Sequence, residues 1–385
     1  MGWLDLMLLV TGLGTAQFFF TLLFFLKLRR EVSLEGAPYT PSVSVIVPCR
    51  EAAGSFSASV QALLAQKYEG RREFIFVVAD AADPAYRRLR EILPEDPGWR
   101  VQLVVSQIKP MRCAAKLANL LGALPHVAAD SEALLFADSD LIVSADWMQR
   151  MISPLQDPAV GASSSAMIYL PCGGFWGFLR SVWMAAGVVY CSFMERVTGH
   201  SLALRRRDFE AWGVARVWEA SLLEDMPVTT LVRRQGKRAA FVSAIMPYSS
   251  DGCDARSFFS VFNRWIVCFR VYDPQIWLLG LFVTLMKCWI VLRSTWLMTY
   301  APALYLYGVD AVNLGLIFVI LHARFPERFA VVPTRLRYFP VLAAACAPLL
   351  LAVYAVNFFN SIFCSTVVWA GRRYRIRGPQ EVQIC

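Results

Sequence analysis

The chain has 385 residues, 57% of them hydrophobic, a net charge of +9 and only three His. That length has room for more than one domain, and the apolar residues are unevenly spread: the ends are nearly free of charge, while the middle has ordinary soluble composition. The basic balance, 38 Lys and Arg against 29 Asp and Glu, suits an anionic membrane surface. Nothing in the soluble middle resembles a nucleic-acid reading helix or an aromatic RNA platform, so nucleic acid is not an expected partner.

Residues 6–26, LMLLVTGLGTAQFFFTLLFFL, carry no charge and are followed by KLRR at 27–30. At 1.5 Å per residue the run spans about 30 Å, the thickness of a bilayer core. A cleaved signal peptide carries its positive charge before a shorter apolar run. Here the charge follows, so residues 1–30 are read as a retained transmembrane helix with its C-terminal end in the cytoplasm.

The middle, 39–254, has ordinary soluble composition. VSVIVPC (43–49), EFIFVVAD (73–80), VQLVV (101–105) and ALLFAD (133–138) are predicted strands; 55–67, 83–93 and 113–124 are predicted helices. Asp83-Pro84 is a helix-start signal. Continuous apolar strands alternating with helices predict an α/β domain with a mostly parallel, Rossmann-like sheet. Ligands of such sheets sit beyond the carboxyl ends of the strands, where Asp80 and Asp138 fall. Neither common glycine-rich phosphate loop is present, so a bound nucleotide needs its phosphates neutralised otherwise.

FFSVFNRWIVCFRVY (258–272) has amphipathic helical spacing, and 255–274 is read as an interfacial helix. Residues 276–321 hold one or two spans, interrupted by Lys287, Arg293 and Asp310. Lys287 and Arg293 are expected to snorkel or to line a headgroup cavity. A basic loop (323–337) follows, then an uncharged stretch (338–371) containing Pro340 and Pro348, then the basic tail 372–385. With both basic segments inside, the stretch between them crosses twice or not at all; a re-entrant or interfacial path is expected for this part of the 275–371 membrane region. The ten Cys show no C-x-x-C spacing, and neither disulfides nor zinc are expected.

Asp138 and Asp140 stand one residue apart at the end of a buried strand. In extended chain both would point one way, and two hard oxygen ligands suit Mg²⁺ or Mn²⁺ with positions left for phosphates. The alternative is a polar turn whose acids cap the next element.

VSVIVPCRE, VVADAADP, LLFADSD, VTGHSLALRRRDF, LLEDMP, NRW and WAGRRYR, in this order, resemble membrane-bound family 2 glycosyltransferases, most closely their ceramide glucosyltransferase relatives of family 21. The resemblance implies a GT-A fold between an N-terminal transmembrane helix and a C-terminal helical membrane region. It also implies a UDP-sugar donor and a membrane lipid acceptor such as ceramide. Asp80 matches the aspartate that contacts uracil or ribose, with Asp83 in the same turn; Asp80 could instead cap a helix. Asp138 and Asp140 match the motif that meets the diphosphate and its divalent ion. Ceramide glucosyltransferases often lack the second acid, so its presence shifts the likeness toward the broader family. Lys116 and Asn119 in KLAN resemble a donor-pocket segment, though Lys116 could be a solvated helix residue. Gly199 and His200 fall in a loop that passes under the donor sugar, where Gly allows close backbone approach; His200 could be structural.

Glu224-Asp225 match the third motif, whose Asp225 the resemblance makes the general base. Near a helix start the two acids would also complement the dipole. Arg264 and Trp265 match the end of Q-x-x-R-W and imply a phosphate ligand and a sugar platform; the alternative is interfacial anchoring. The Gln position is Val261 here, which counts against a processive polysaccharide synthase. Hopanoid and diacylglycerol acceptors fit the same residues as ceramide. A scaffold on a degenerate transferase fold is the rival from another class, and retention of these acids together with Arg264 and Trp265 argues against it.

Overall fold

The computed structural model describes residues 2–29, 38–52, 54–95, 98–336 and 338–385. The chain divides into two compact units. One comprises Glu31–Ile168, Cys191–Asp251 and Arg372–Cys385; the other comprises Met1–Arg30, Tyr169–Tyr190 and Gly252–Gly371.

The first unit is an α/β layer structure. Strands β1 (Val43–Pro48), β2 (Arg72–Val78), β3 (Arg100–Val105), β4 (Ala133–Ala137), β5 (Val160–Ser164), β6 (Ser201–Arg205) and β7 (Arg238–Phe241) form one sheet in the order β3-β2-β1-β4-β6-β5-β7. β1 lies parallel to both β2 and β4, with Val45 opposite Phe74 on one side and Leu135 on the other. β4 and β1 are buried nearly throughout, which is why their sequences are continuous apolar runs instead of alternating ones. β6 is the exception to parallel order, running antiparallel to β4 and β5. Helices Phe56–Leu64, Pro84–Ile92 and Ala115–Ala123 follow β1, β2 and β3. At the opposite end of the sheet, buried Glu73 accepts from Ser44 Oγ (2.5 Å) and the Ala128 amide (2.7 Å) and pairs with Arg100 (3.2 Å).

The predicted strands and helices of this half are present with ends shifted by a residue or a few. Beyond residue 138 the elements of this half lay outside the sequence reading: β5, β6 directly after Gly199-His200, β7 and, apart from the helix start at Glu224-Asp225, the short helices between them. So did helix Gly174–Phe193 and the folding of Arg372–Gly378 and Glu381–Ile384 into an antiparallel hairpin that groups with the first unit.

The second unit is helical. Trp3–Arg29, Pro274–Trp296 and Ala301–Arg324 are each long and apolar enough to cross a membrane. Leu6, Val10, Ile290, Leu306 and Val309 form a core where these three helices meet. Lys287 Nζ reaches Asp310 Oδ1 at 2.6 Å, Gln17 Nε2 donates to the same oxygen at 2.9 Å, and Thr21 Oγ1 donates to Asn313 at 2.6 Å. Lys287 is therefore paired inside the bundle, neither snorkelling nor lining a headgroup cavity. Phe339–Ala345 and Ala347–Phe363 form a pair bent by 53° at Cys346, just before Pro348, where proline cannot complete the preceding helix's hydrogen bonding. Helix Ala255–Tyr272, capped by Asp254 accepting from Ser257 N, covers the segment read as amphipathic.

Candidate active site

The carboxyl ends of β1, β2 and β4 gather the polar residues singled out above. Lys116, in the first turn of helix Ala115–Ala123, is the hub. Its Nζ lies 2.5 Å from Asp138 Oδ1, hydrogen-bonds the Gly199 carbonyl at 3.2 Å, and makes an ion pair with Glu224 Oε1. The Lys116 and Glu224 side chains are only 17% and 5% exposed. Burial alone would lower the lysine's pKa, but the Asp138 and Glu224 carboxylates outweigh it and hold Lys116 well above the usual lysine range. Lys116 is thus not a solvated helix residue. It ties the second acidic motif to the third.

Gly199 is there because no side chain fits: a Cβ would stand 1.8 Å from Glu224 Oε1. Its amide donates to Asp225 Oδ2 at 2.9 Å, while Oδ1 accepts from the Met226 amide at 2.7 Å. Asp225 is the first residue of helix Asp225–Arg234, with Glu224 as its cap. Burial, then the neighbouring Glu224 charge, pushes the Asp225 carboxyl up to about 7, against the opposing pull of the Met226 and Gly199 amides and of Lys116. A carboxylate titrating near neutrality has the basicity that general-base work requires.

β4 ends at Ala137, so Ser139 and Asp140 lie in a turn and the extended-chain argument for parallel carboxylates does not apply. The acids still share one electrostatic neighbourhood. Burial, then the charges of Asp138 and Asp251, raise Asp140 to about 7. Among the described residues no group of three His, Cys, Asp or Glu is poised to hold a metal alone. Two crowded carboxylates at a strand end instead suit an ion that completes its shell with water and phosphate, the habit of Mg²⁺ and Mn²⁺. The donor set fits such a cation.

Asp80 is exposed and accepts from the Ala82 amide at 2.9 Å, a local turn. It does not cap the helix: Asp83 does, accepting from Ala85 N at 2.8 Å and from Glu51 N at 2.9 Å. Asp83 thereby ties the loop after β1 to the loop after β2. His200 is buried, and its carbonyl accepts from the Asp138 amide at 3.2 Å, holding the β4–β6 end together. Asn119 is buried in the same helix as Lys116, and no hydrogen bond among the described residues joins it to the cluster. Asp251 was missed. It accepts from the Ser55 amide at 2.8 Å, Ser55 Oγ donates to the Asp140 carbonyl at 3.1 Å, and Gly54, at φ +58°, packs against the Asp251 carboxylate. The Asp-Gly in SSDG was its only trace in the sequence, and it reads there as a turn.

Arg264 and Trp265 belong to the helical unit. The Arg264 guanidinium lies over the Trp369 ring at 4.6 Å, and Trp265 meets Trp183 edge-on with ring centres 6.2 Å apart.

A mostly parallel sheet with an antiparallel strand inserted beside β4, and acids at the strand ends, defines the GT-A class of glycosyltransferase. The sequence profile described as glycosyl transferase family 21 matches residues 8–382, and the chain belongs to that family. Two relatives are both called N-acetylglucosaminyltransferase. The protein from Bradyrhizobium elkanii is 28% identical over 130 residues, covering 33% of this chain and 67% of that protein. The one from Bradyrhizobium diazoefficiens is 25% identical over 131 residues, and only 25% of its own length is spanned. Among solved structures, a mannosyltransferase from Pyrobaculum calidifontis in complex with GDP-Man and Mn²⁺ superposes with a TM-score of 0.50 at 18% identity, over 93% of this chain and 99% of that one. That likeness is one of fold.

Proposed function

We propose that the chain is an inverting transferase that moves one hexose from a UDP-sugar to the hydroxyl of a membrane lipid, ceramide or a related sphingoid lipid first among them. One observation carries the reading: Lys116 draws Asp138, Gly199 and Glu224 together, with Asp225 bonded to the Gly199 amide. In this assignment the Asp225 carboxylate takes the proton of the lipid hydroxyl as its oxygen attacks the anomeric carbon. The bond from that carbon to the diphosphate breaks on the opposite face, and its electron pair leaves with UDP. Gly199, lacking a Cβ, leaves room for the Glu224 carboxylate beside Lys116 while its amide orients Asp225. Lys116 offers the nearest positive charge to the departing diphosphate, and Arg264 is assigned a second, as a guanidinium can grip phosphate with two parallel hydrogen bonds. Asp138 and Asp140 would hold a Mn²⁺ or Mg²⁺ ion, whose chemistry when bound is neutralisation of the leaving diphosphate. Asp80 is assigned to the uracil or ribose, Asn119 and His200 to the donor pocket wall, and Trp265 to the acceptor entry.

Chain parity supports the topology. With Trp3–Arg29, Pro274–Trp296 and Ala301–Arg324 all crossing, residue 325 returns to the side of the catalytic unit. The tail 372–385 groups with that unit, so the bent pair 339–363 enters the bilayer and returns on the same face. The flanking basic segments assign that face to the cytoplasm. Few spans and Val261 in place of Gln speak against a polymer conduit. The names of the two relatives favour an N-acetylhexosamine as the second choice of sugar. Mass spectrometry of lipids from cells with and without the chain tests the reading: one lipid species shifted by a single hexose or N-acetylhexosamine supports it. A ladder of saccharides, or no shifted lipid, contradicts it.

A further inference from the structure

The C-terminal hairpin combines two features that the transfer chemistry leaves unused. Its first strand, Arg372–Gly378, reads RRYRIRG, and burial alternates along it: Tyr374 and Ile376 are buried, while Arg373, Arg375 and Arg377 are exposed. Successive strand residues point to opposite faces, so three guanidiniums share one open face. The partner strand Glu381–Ile384 sets Gln383 opposite Arg375 and adds Val382 to the buried side. No ion pair among the described residues includes these three arginines.

The hairpin is also bonded to chain segments next to the Lys116 cluster. Tyr374 Oη accepts a hydrogen bond from the Ala115 amide at 3.2 Å, one residue before Lys116. Ser221 Oγ donates to the Pro379 carbonyl at 3.4 Å, and the Ala114 amide donates to the Ser221 carbonyl at 3.1 Å. The hairpin is therefore bonded both to the start of the Lys116 helix and to the segment that leads into Glu224-Asp225. Its link to the last apolar helix is short: that helix ends at Phe363, strand Thr366–Trp369 follows, and the hairpin begins at Arg372.

We propose that the Arg373–Arg375–Arg377 face docks on anionic lipid headgroups of the leaflet facing the catalytic unit, and that this docking steadies, through Tyr374, the helix start that carries Lys116, so that sugar transfer responds to membrane charge. The proposal rests on the membrane topology and transfer reading given above. Charge complementarity argues for headgroups: an anionic leaflet attracts each nearby arginine by about fivefold in surface partition, and the face offers three on an element tethered to the bilayer.

The test uses the full chain in nanodiscs, either of neutral phosphatidylcholine or with about one third phosphatidylglycerol, a fraction chosen to give a surface potential in the range that attracts basic segments. Hydrogen exchange of amides 372–384 is read first, because it needs no turnover; the Michaelis constant for the donor is read second. Exchange should slow several-fold in the anionic discs, and the donor constant should fall. Substituting Arg373→Gln, Arg375→Gln and Arg377→Gln together should abolish both responses while activity in neutral discs persists. Tyr374→Phe should keep the exchange response and lose the kinetic one. Equal exchange in the two discs overturns the proposal, as does slowing by UDP alone, which would make the donor diphosphate the occupant. Lipid-dependent slowing in a chain that transfers no sugar would leave the docking standing and refute the transfer reading.

Discussion

Replacing Gly199 by Ala probes the centre of the site with one methyl group. The new Cβ would lie 1.8 Å from Glu224 Oε1 and 2.8 Å from its carboxyl carbon. Relief to ordinary contact needs the carboxylate to retreat by more than about 1 Å, since packed interiors tolerate little overlap. A retreat of that size pulls Oε1 from the position where it pairs with Lys116 Nζ and weakens the pair. Breaking a fully buried pair costs about 3–5 kcal/mol; with Lys116 17% exposed, about 2 kcal/mol is the scale to expect after solvent screening. For a unit of this size that corresponds to a fall in melting temperature of about 4–8 °C. The loss in kcat/KM should be tenfold or more, because Gly199 also orients Asp225 through its amide. Thermal unfolding in detergent and initial rates of UDP release measure the two. The double change Gly199→Ala with Glu224→Asp shortens the obstructing side chain and should recover part of the stability. Wild-type melting and wild-type rates for Gly199→Ala would refute the packing argument, and a double variant no better than the single one would show that Glu224 is not the obstacle.

The pH profile has a definite sign. In the proposed reaction Asp225 serves as base only when ionised, and burial together with Glu224 has raised it to about 7. The kcat/KM should therefore fall about tenfold per unit as pH drops below that value and level off above it; a flat profile from pH 5 to 8 would remove Asp225 from the role. In the helical unit, Lys287→Met strands Asp310 among apolar helices, and loss of one partner of a buried pair should cost about 3 kcal/mol. Lys287→Met with Asp310→Leu should restore most of the melting temperature, and failure to do so would mean that the pair is not what the single change disrupts. Asp251→Asn retains an acceptor for the Ser55 amide but removes a charge beside Asp140. It should weaken Mn²⁺ binding by several-fold in a titration calorimeter, and unchanged affinity would separate Asp251 from the cation site.

The parts of the fold that a sequence can announce are those set by local pattern. Apolar runs such as VSVIVP and ALLFA favour strands buried on both faces, and Asp83-Pro84 favours a helix start; both are found. β6 escaped because SLALR follows a glycine and a histidine whose resemblance pointed to a loop, and its antiparallel pairing with β4 depends on residues more than sixty positions away. The site divided the same way. Asp138, Asp225 and Lys116 were visible as residue types at motif positions, but their joining through one ammonium group is tertiary and has no local signature. Asp251 and Tyr374 act through backbone amides of distant loops, which any acid or hydroxyl could do, so neither composition nor spacing singles them out. Asp310 stood out only as an interruption of an apolar stretch, and Lys287 was expected to snorkel or line a headgroup cavity; that they neutralise each other follows from helix packing.

The most direct test is transfer by the purified chain in nanodiscs supplied with a UDP-sugar, a ceramide-like lipid and Mn²⁺, comparing wild type with Asp225→Asn. The account predicts UDP release that requires both lipid and cation, a product bearing one sugar, and loss of at least a thousandfold in rate for the variant with donor binding retained. UDP release by Asp225→Asn at the wild-type rate, or a wild-type chain that transfers nothing to any lipid hydroxyl, would contradict it.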